Sequence, residues 1–423
     1  MRIALAVVVG RAVRWLTRLR GGGSAMPGNA ALLIAPQFLE HAFQTVTDGI
    51  IFVSGSNGKS TTTNMLARIL RAHGLDVFTN PSGGNLPQGI ASALLSEVGL
   101  DGAVHADVAV LEVDEAYSVG LSARLAPTTT LIVNVQVDQL NRFYEPARVA
   151  QMLATLVHST KANVILNADD DSLREVGTRF ASTKNVSWFG VEPALLASAP
   201  HGLANVIQQD DSKRVARPVV GSEVVAHSER SARIRIGKES SEFPLPARGL
   251  HYAVDAAGAI GAARVVLGRR FNDDSARQGL AAMQTIYGRG EVITVNGEDI
   301  EIIMMKNPPS LQMNLDALPG KPEQLLVAVD EGTPDPSWIY GIDFSNLGDA
   351  DIITGTKAWQ IATRWAYEGL EVRRVEPDPD KAVAWFLALP RPTSGVKVML
   401  VNYELMMSIR KHLGFLELEG GNQ

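Results

Sequence analysis

The sequence has 423 residues and no cysteine, which excludes disulfides, thiolate zinc sites, iron–sulfur clusters and any thiol nucleophile within the chain. It also lacks a basic excess. Its 39 lysines and arginines stand against 45 acidic residues, a net charge of −6, so nucleic acid binding through bulk charge is disfavoured. No uninterrupted run of about 20 apolar residues is evident, so no membrane-spanning helix is expected. The short apolar stretch Ile3 to Gly10 is interrupted or followed by Arg11, Arg14, Arg18 and Arg20, and the expected location is the cytoplasm. Internal repeats and low-complexity tracts are also lacking.

What is present is ordinary for a folded protein: 46% hydrophobic and 20% charged residues, over a length that suggests two or three domains. A helix from Ile3 to Leu19 would place Arg11, Arg14 and Arg18 on one face, with Trp15, Leu16 and Leu19 near the other. Such a helix either packs on its own domain with solvated arginines or rests on an anionic membrane at the inner face. The run Gly21-Gly22-Gly23-Ser24 ends it.

Gly49 to Val53 is rich in β-formers and leads into Ser54-Gly55-Ser56-Asn57-Gly58-Lys59-Ser60-Thr61-Thr62-Thr63. Met65, Leu66, Ile69 and Leu70 then recur with helical spacing, and Gly74 stops the run. Strand, glycine loop and helix in this order make a phosphate cradle, built here from Gly55, Ser56, Asn57, Gly58 and Thr61. Lys59 would reach the β- and γ-phosphates of a nucleotide and Ser60 a magnesium ion. The general pattern would have glycine at Val53, so the loop is a variant. A chance Gly-Lys-Ser surface turn is disfavoured by the flanking strand and helix.

Further strands carry polar residues at their C-terminal ends, where ligands bind in a parallel sheet. Val108 to Leu111 ends in Glu112-Val113-Asp114-Glu115, Leu131 to Val133 in Asn134 with Asp138 beyond, and Val164 to Leu166 in Asn167-Ala168-Asp169-Asp170. Each alone reads equally as a helix cap, but the ordered set argues for one sheet.

With Gly288-Arg289-Gly290-Glu291, these segments make the sequence resemble the Mur ligase superfamily, whose members use ATP to activate a carboxylate as an acyl phosphate for attack by an amine. More narrowly it resembles, nearly end to end, the MurT family of ligase-like subunits of lipid II isoglutaminyl synthases. That likeness rests on Gly22 to Gly28, Asp138-Gln139-Leu140-Asn141-Arg142, Lys306-Asn307-Pro308, Asp335-Pro336-Ser337-Trp338-Ile339 and Asn402-Tyr403. The fold implied is α/β: a Mur ligase-like central P-loop ATPase domain with a parallel sheet, and a smaller Rossmann-like C-terminal domain. We expect an N-terminal arm at 1–45, the ATP-binding domain at 46–288 and the C-terminal domain at 289–423. The 45 residues before the phosphate strand are too few for a separate UDP-binding domain, which fits a lipid-linked acceptor such as lipid II.

The resemblance implies ATP and Mg2+ as cofactors, with Ser60, Glu112 and Asp138 near the metal. The usual histidine after that aspartate is Gln139, a weaker ligand. Asn167, Tyr252 and Asp255 are the further nucleotide-binding candidates; the last two stand where asparagines are common. Arg289 would approach the nucleotide on domain closure or else be a solvated hinge arginine. Lys306 would hold the acceptor carboxylate or acyl phosphate, or lie on the surface. No zinc is expected, because the 190–246 region lacks the four-cysteine ribbon of several relatives; a β-rich excursion around Val224 and Ile234 should stand there.

The implied nitrogen source is a GatD-type class I glutaminase partner, whose cysteine nucleophile this chain cannot supply. Asp335, or as second choice Asp343, would orient the partner's histidine; Gly341 occupies the usual position. Asp335 reads equally as the start of an Asp-Pro turn. Two rival functions remain open: a stand-alone Mur-like amino-acid ligase and a nucleotide-binding regulatory scaffold.

Overall fold

The computed structural model describes residues 1–19, 25–80, 84–136, 146–203, 215–283 and 288–415. Three helices come first, α1 (Arg2–Leu19), α2 (Met26–Ile34) and α3 (Phe38–Ala42). An alternating series follows: β1 (Ile50–Ser54), α4 (Lys59–Ala72), β2 (Val77–Thr79), α5 (Pro87–Glu97), β3 (Val108–Glu112), α6 (Glu115–Leu125) and β4 (Thr129–Ile132). It continues with α7 (Pro146–Ser159), β5 (Asn163–Asn167), α8 (Asp171–Phe180), β6 (Asn185–Val191) and α9 (Pro193–Ser198). The strands β7 (Ser222–His227), β8 (Ser231–Ile236) and β9 (Glu239–Pro244) precede α10 (Leu250–Leu267) and α11 (Asp273–Ala281).

The first sheet has the order β2-β3-β1-β4-β5-β6-β7-β8-β9, parallel through β7 and antiparallel at β8 and β9. Its strands are apolar on both faces because both are covered. Ile51 and Val53 of β1, with Val108 and Val110 of β3, enter one hydrophobic cluster with α4, α10 and α11. Ile50 and Phe52, with Ala109 and Leu111, enter the other with Ala6 and Val7 of α1, Ala31 of α2 and Phe38 and Leu39 of α3. The N-terminal helices are therefore part of the layer that covers the second face. The β-rich excursion stands as β7–β9.

Leu250–Arg270 has the length and mean hydropathy of a membrane span although charged residues interrupt its apolar run. The interruptions at His251, Asp255 and Arg264 hide it in the sequence. With 72% of its apolar window buried, it is a core helix across the sheet.

The second sheet, order β10-β11-β15-β12-β13-β14, is built from β10 (Arg289–Val295), β11 (Glu298–Met304), β12 (Leu325–Ala328), β13 (Ile352–Thr354), β14 (Val375–Glu376) and β15 (Lys397–Val401). Its helices are α12 (Pro308–Asp316), α13 (Ala358–Tyr367), α14 (Pro379–Leu387) and α15 (Tyr403–His412), with a short 3-10 helix at Pro336–Gly341. Only the β10–β11 pair is antiparallel; it turns at Asn296-Gly297, whose φ values of 53 and 75° suit a two-residue hairpin turn. Leu325 and Val327 of β12 face one cluster, and Leu326 and Ala328 the other.

Trp365 of α13 is fully buried, 4.7 Å between ring centroids from Phe344, and donates its indole N–H to the Gly348 carbonyl. Trp365→Ala should cost about 3–5 kcal/mol in urea unfolding; a loss below about 1 kcal/mol would contradict this packing.

Candidate active site

The sheet order reverses around β1, which lies between β3 and β4, so the crevice beyond its C-terminal end is the natural ligand position. The Ser54–Lys59 turn occupies that crevice. Gly55 has φ 126°, and a Cβ there would lie 2.9 Å from the backbone N and O of Asn134. Gly58, at φ 84°, is the N-cap of α4, and its Cβ would lie 2.4 Å from Asp255 Oδ1. Glycine is required at both positions by conformation and by space.

Asn57 fixes the loop. Its N–H donates to Asn134 Oδ1 at 2.9 Å, and its carbonyl accepts from Asn134 Nδ2 at 3.1 Å. Its side-chain Nδ2 donates to Gln136 Oε1 at 2.7 Å, while Ser56 Oγ and the Gln136 N–H pair at 3.0 Å. The side-chain-free N-cap of a 14-residue helix, in a cradle that a Cβ would fill, fits an anionic phosphate.

Lys59 is buried and its Nζ donates to Glu115 Oε1 at 2.9 Å, with the carbonyls of Gly55 and Ser56 also in reach. Glu115 was not among the residues expected from the sequence. Glu112 is buried, and its Oε1 accepts from Asn85 Nδ2 at 3.0 Å. Ser60 is buried at the head of α4. Among the described residues no cluster of three or more histidine and acidic side chains stands ready for a metal. One carboxylate and one hydroxyl suit magnesium, which keeps waters and phosphate oxygens as its other ligands. Asp138 lies outside the described residues, as does the Arg289 side chain, although the Arg289 backbone begins β10.

Asn167, expected near the nucleotide, donates Nδ2 to the Val133 carbonyl and accepts from the Asp169 N–H. Asp170 caps α8 through the Leu173 N–H and accepts from the Val135 N–H at 2.6 Å, bracing the segment that carries Asn134 and Gln136. Asp169 pairs with Arg217 at 2.9 Å; Arg217 pairs with Glu223 at 3.0 Å, and Arg235 joins Glu223 to Glu192. This ionic chain holds the excursion to the sheet. Tyr252 is buried in the core cluster, its ring 4.3 Å from that of His251. Asp255 is buried, with Oδ1 beside Gly58 of the turn.

The C-terminal domain reaches the same turn. Lys306 Nζ donates to the Ser56 carbonyl at 3.0 Å, and Asn307 Nδ2 donates to Asn57 Oδ1 at 2.9 Å, while Asn307 also caps α12. Arg248 pairs with Glu301 of β11. His201, after α9, stands between Asp316 at 3.0 Å and Asp343 at 3.5 Å. A cavity of about 410 Å3 lies along this seam between Leu195, Arg248, Leu250 and Met313. Asp335 is exposed and opens the 3-10 helix, accepting from the Ser337 N–H at 2.9 Å, as its turn reading anticipates. Asn402 donates to Asp330 Oδ1 at 2.6 Å, and Tyr403 is partly exposed at the head of α15.

Glu115, Asn134, Gln136 and Asn307 are site residues that no role had singled out. Glu115 had a signal in the acidic run after β3. The asparagines and glutamine lie within quoted segments, but only contact with the loop assigns them.

Burial pushes the Asp170 carboxyl up to about 6, against the lowering effect of its backbone donors. A raised folded-state value means that the folded protein holds this proton more tightly. The contribution of Asp170 to stability should therefore be greatest below about pH 4 and fall as pH rises toward about 6. Urea unfolding of the wild type and Asp170→Asn across this window should show the difference between them shrinking with rising pH. A constant difference would refute the assignment.

Residues 53–262 match the family described as the Mur ligase middle domain. The chain is 25% identical over 412 residues to the lipid II isoglutaminyl synthase (glutamine-hydrolyzing) subunit MurT of Streptococcus pneumoniae, covering 89% of each chain. Among solved structures, MurF of Acinetobacter baumannii superposes with a TM-score of 0.66 at 16% identity, over 92% of this chain and 80% of that one. MurF ligase of Thermotoga maritima in complex with ADP gives 0.60 at 18% identity, over 92% and 85%. Residues 53–262 are thus similar to the Mur ligase middle domain, the fold is that of the Mur ligases, and the chain resembles MurT subunits over most of its length.

Proposed function

We propose that this chain is an ATP-dependent carbon–nitrogen ligase of peptidoglycan synthesis, the synthase subunit that amidates the D-isoglutamate α-carboxylate of lipid II to D-isoglutamine. The observation that carries this reading is the extent of the likeness to the pneumococcal MurT subunit. It takes in the C-terminal domain as well as the phosphate-binding one. The geometry supports it, because Lys306 and Asn307 of the C-terminal domain converge on the glycine turn.

Bound ATP would supply the phosphoryl group that converts the carboxylate to an acyl phosphate, and Mg2+ would neutralise charge on the phosphate oxygens. The turn from Gly55 to Thr61, with Lys59, would bind and orient the phosphates, and Ser60 and Glu112, with Asp138, would hold the metal. Lys306 would bring positive charge from the second domain to the acceptor carboxylate or acyl phosphate, and Arg289 would approach the nucleotide on domain closure. Ammonia then forms the C–N bond at the acyl carbon, phosphate departs with its bridging oxygen, and a proton leaves the nitrogen.

The ammonia comes from a GatD-type glutaminase partner, since a chain without cysteine cannot supply that nucleophile. Asp335 is the carboxylate assigned to the partner's histidine. It is exposed, and the Ser337 N–H holds it below the usual carboxylate range, so it stays ionised as an imidazole-orienting group must. Asp343 is already engaged by Ser345 and His201.

The test is amidation of lipid II with ATP, magnesium and nitrogen-labelled ammonium, with and without the glutaminase and unlabelled glutamine. Label in the stem, diluted by glutamine nitrogen when the partner is added, is the expected result. ATP hydrolysis without incorporation in either mixture would overturn the reading in favour of a ligase for another amine.

Lys59→Ala should lower turnover by at least about a hundredfold with either nitrogen source. Because it strands buried Glu115, Lys59→Ala with Glu115→Gln should recover stability without activity. Asp335→Asn should spare the ammonium reaction and impair the glutamine-driven one; equal loss in both would remove Asp335 from the triad.

A further inference from the structure

The first 39 residues contain five arginines and no acidic residue; with −6 for the whole chain, the remainder carries −11. This segregated charge lies largely on α1, whose two faces differ from those of an ordinary surface helix. Ala6, Val7 and Gly10 are its buried side, and a Cβ at Gly10 would lie 2.5 Å from Leu95 Cδ1 of α5. The opposite side is apolar as well. Leu5, Val8, Trp15 and Leu16 are 53, 52, 64 and 53% exposed, and Met1 and Ala12 complete an outward stripe at helical spacing.

At 100° per residue, Arg11 and Arg18 border this stripe on one side and Arg2 on the other. The Arg11 guanidinium is fixed there by the Leu95 and Val98 carbonyls at the end of α5. Among the described residues Arg2, Arg14 and Arg18 form no ion pair.

An apolar stripe with an outward tryptophan and flanking arginines matches the boundary between acyl chains and headgroups. There Trp prefers to lie and long cations meet anionic phosphates. A second copy fits poorly, because pairing these helices would bring the arginine edges of two acid-free segments together. We propose that the outer face of α1 docks the protein flat on an anionic lipid bilayer. The surface is separate from the phosphate turn and independent of the reaction assigned to it.

The test is flotation of the full chain with vesicles of phosphatidylcholine alone and of equal parts phosphatidylcholine and phosphatidylglycerol. Two variants accompany it: Leu5→Ser with Trp15→Ser, which removes apolar area, and Arg2→Gln with Arg18→Gln, which removes charge and keeps the stripe. The wild type should float with the anionic vesicles only, and less so as salt is raised. Each double variant should bind at least about tenfold more weakly, with unchanged melting temperature, because all four side chains are exposed.

Failure of the wild type to float with anionic vesicles, or equal flotation of the variants, would overturn the proposal. A dimer in sedimentation that Leu5→Ser with Trp15→Ser abolishes, without vesicle binding by the wild type, would assign the face to a second copy instead.

Discussion

Asn57 is the residue on which the site turns. Its backbone is held on both sides by the Asn134 amide, and its side chain is shared between Gln136 of the first domain and Asn307 of the second. A glycine loop with two positive-φ residues would otherwise carry a large conformational entropy, and a phosphate cradle is useful only if its donors are already in place. These bonds fix that geometry before any ligand arrives. They also couple the loop's position to the approach of the C-terminal domain.

Among the described residues the seam between the domains includes charged and amide-bearing contacts, Lys306, Asn307, the Arg248–Glu301 pair and His201 between two aspartates, beside the apolar contact of Met313. Polar contacts of this kind each contribute modestly, unlike the apolar layers inside each domain. The rigid part lies beneath, where Ile51 and Val53 face one layer and Ile50 and Phe52 the other. The N-terminal helices close the second layer, packing the expected N-terminal arm against the sheet.

Much of the architecture was legible beforehand because parallel sheets leave strong local traces. Continuous apolar runs such as Val108 to Leu111, each closed by a polar residue, mark strands buried on both faces, and the Gly55 to Ser60 spacing marks the phosphate turn. The excursion at β7–β9 was readable from its β-branched residues. What hid was non-local. Leu250–Arg270 conceals its hydropathy behind His251 and Asp255, and the latter proves to be a neighbour of Gly58. Asn167 reads as a ligand-side residue by its place at a strand end, and only the structure shows its amide donating to the Val133 carbonyl of the neighbouring segment.

The sequence by itself determined the class of fold, the phosphate turn and the lack of any thiol nucleophile, because each depends on residue type and short spacing. Only the tertiary structure decided which groups share the site. Lys59 and Glu115 are 56 positions apart, and Asn57 and Asn307 are 250 apart. No periodicity links such pairs; they meet because sheet order and domain packing place them beside one loop.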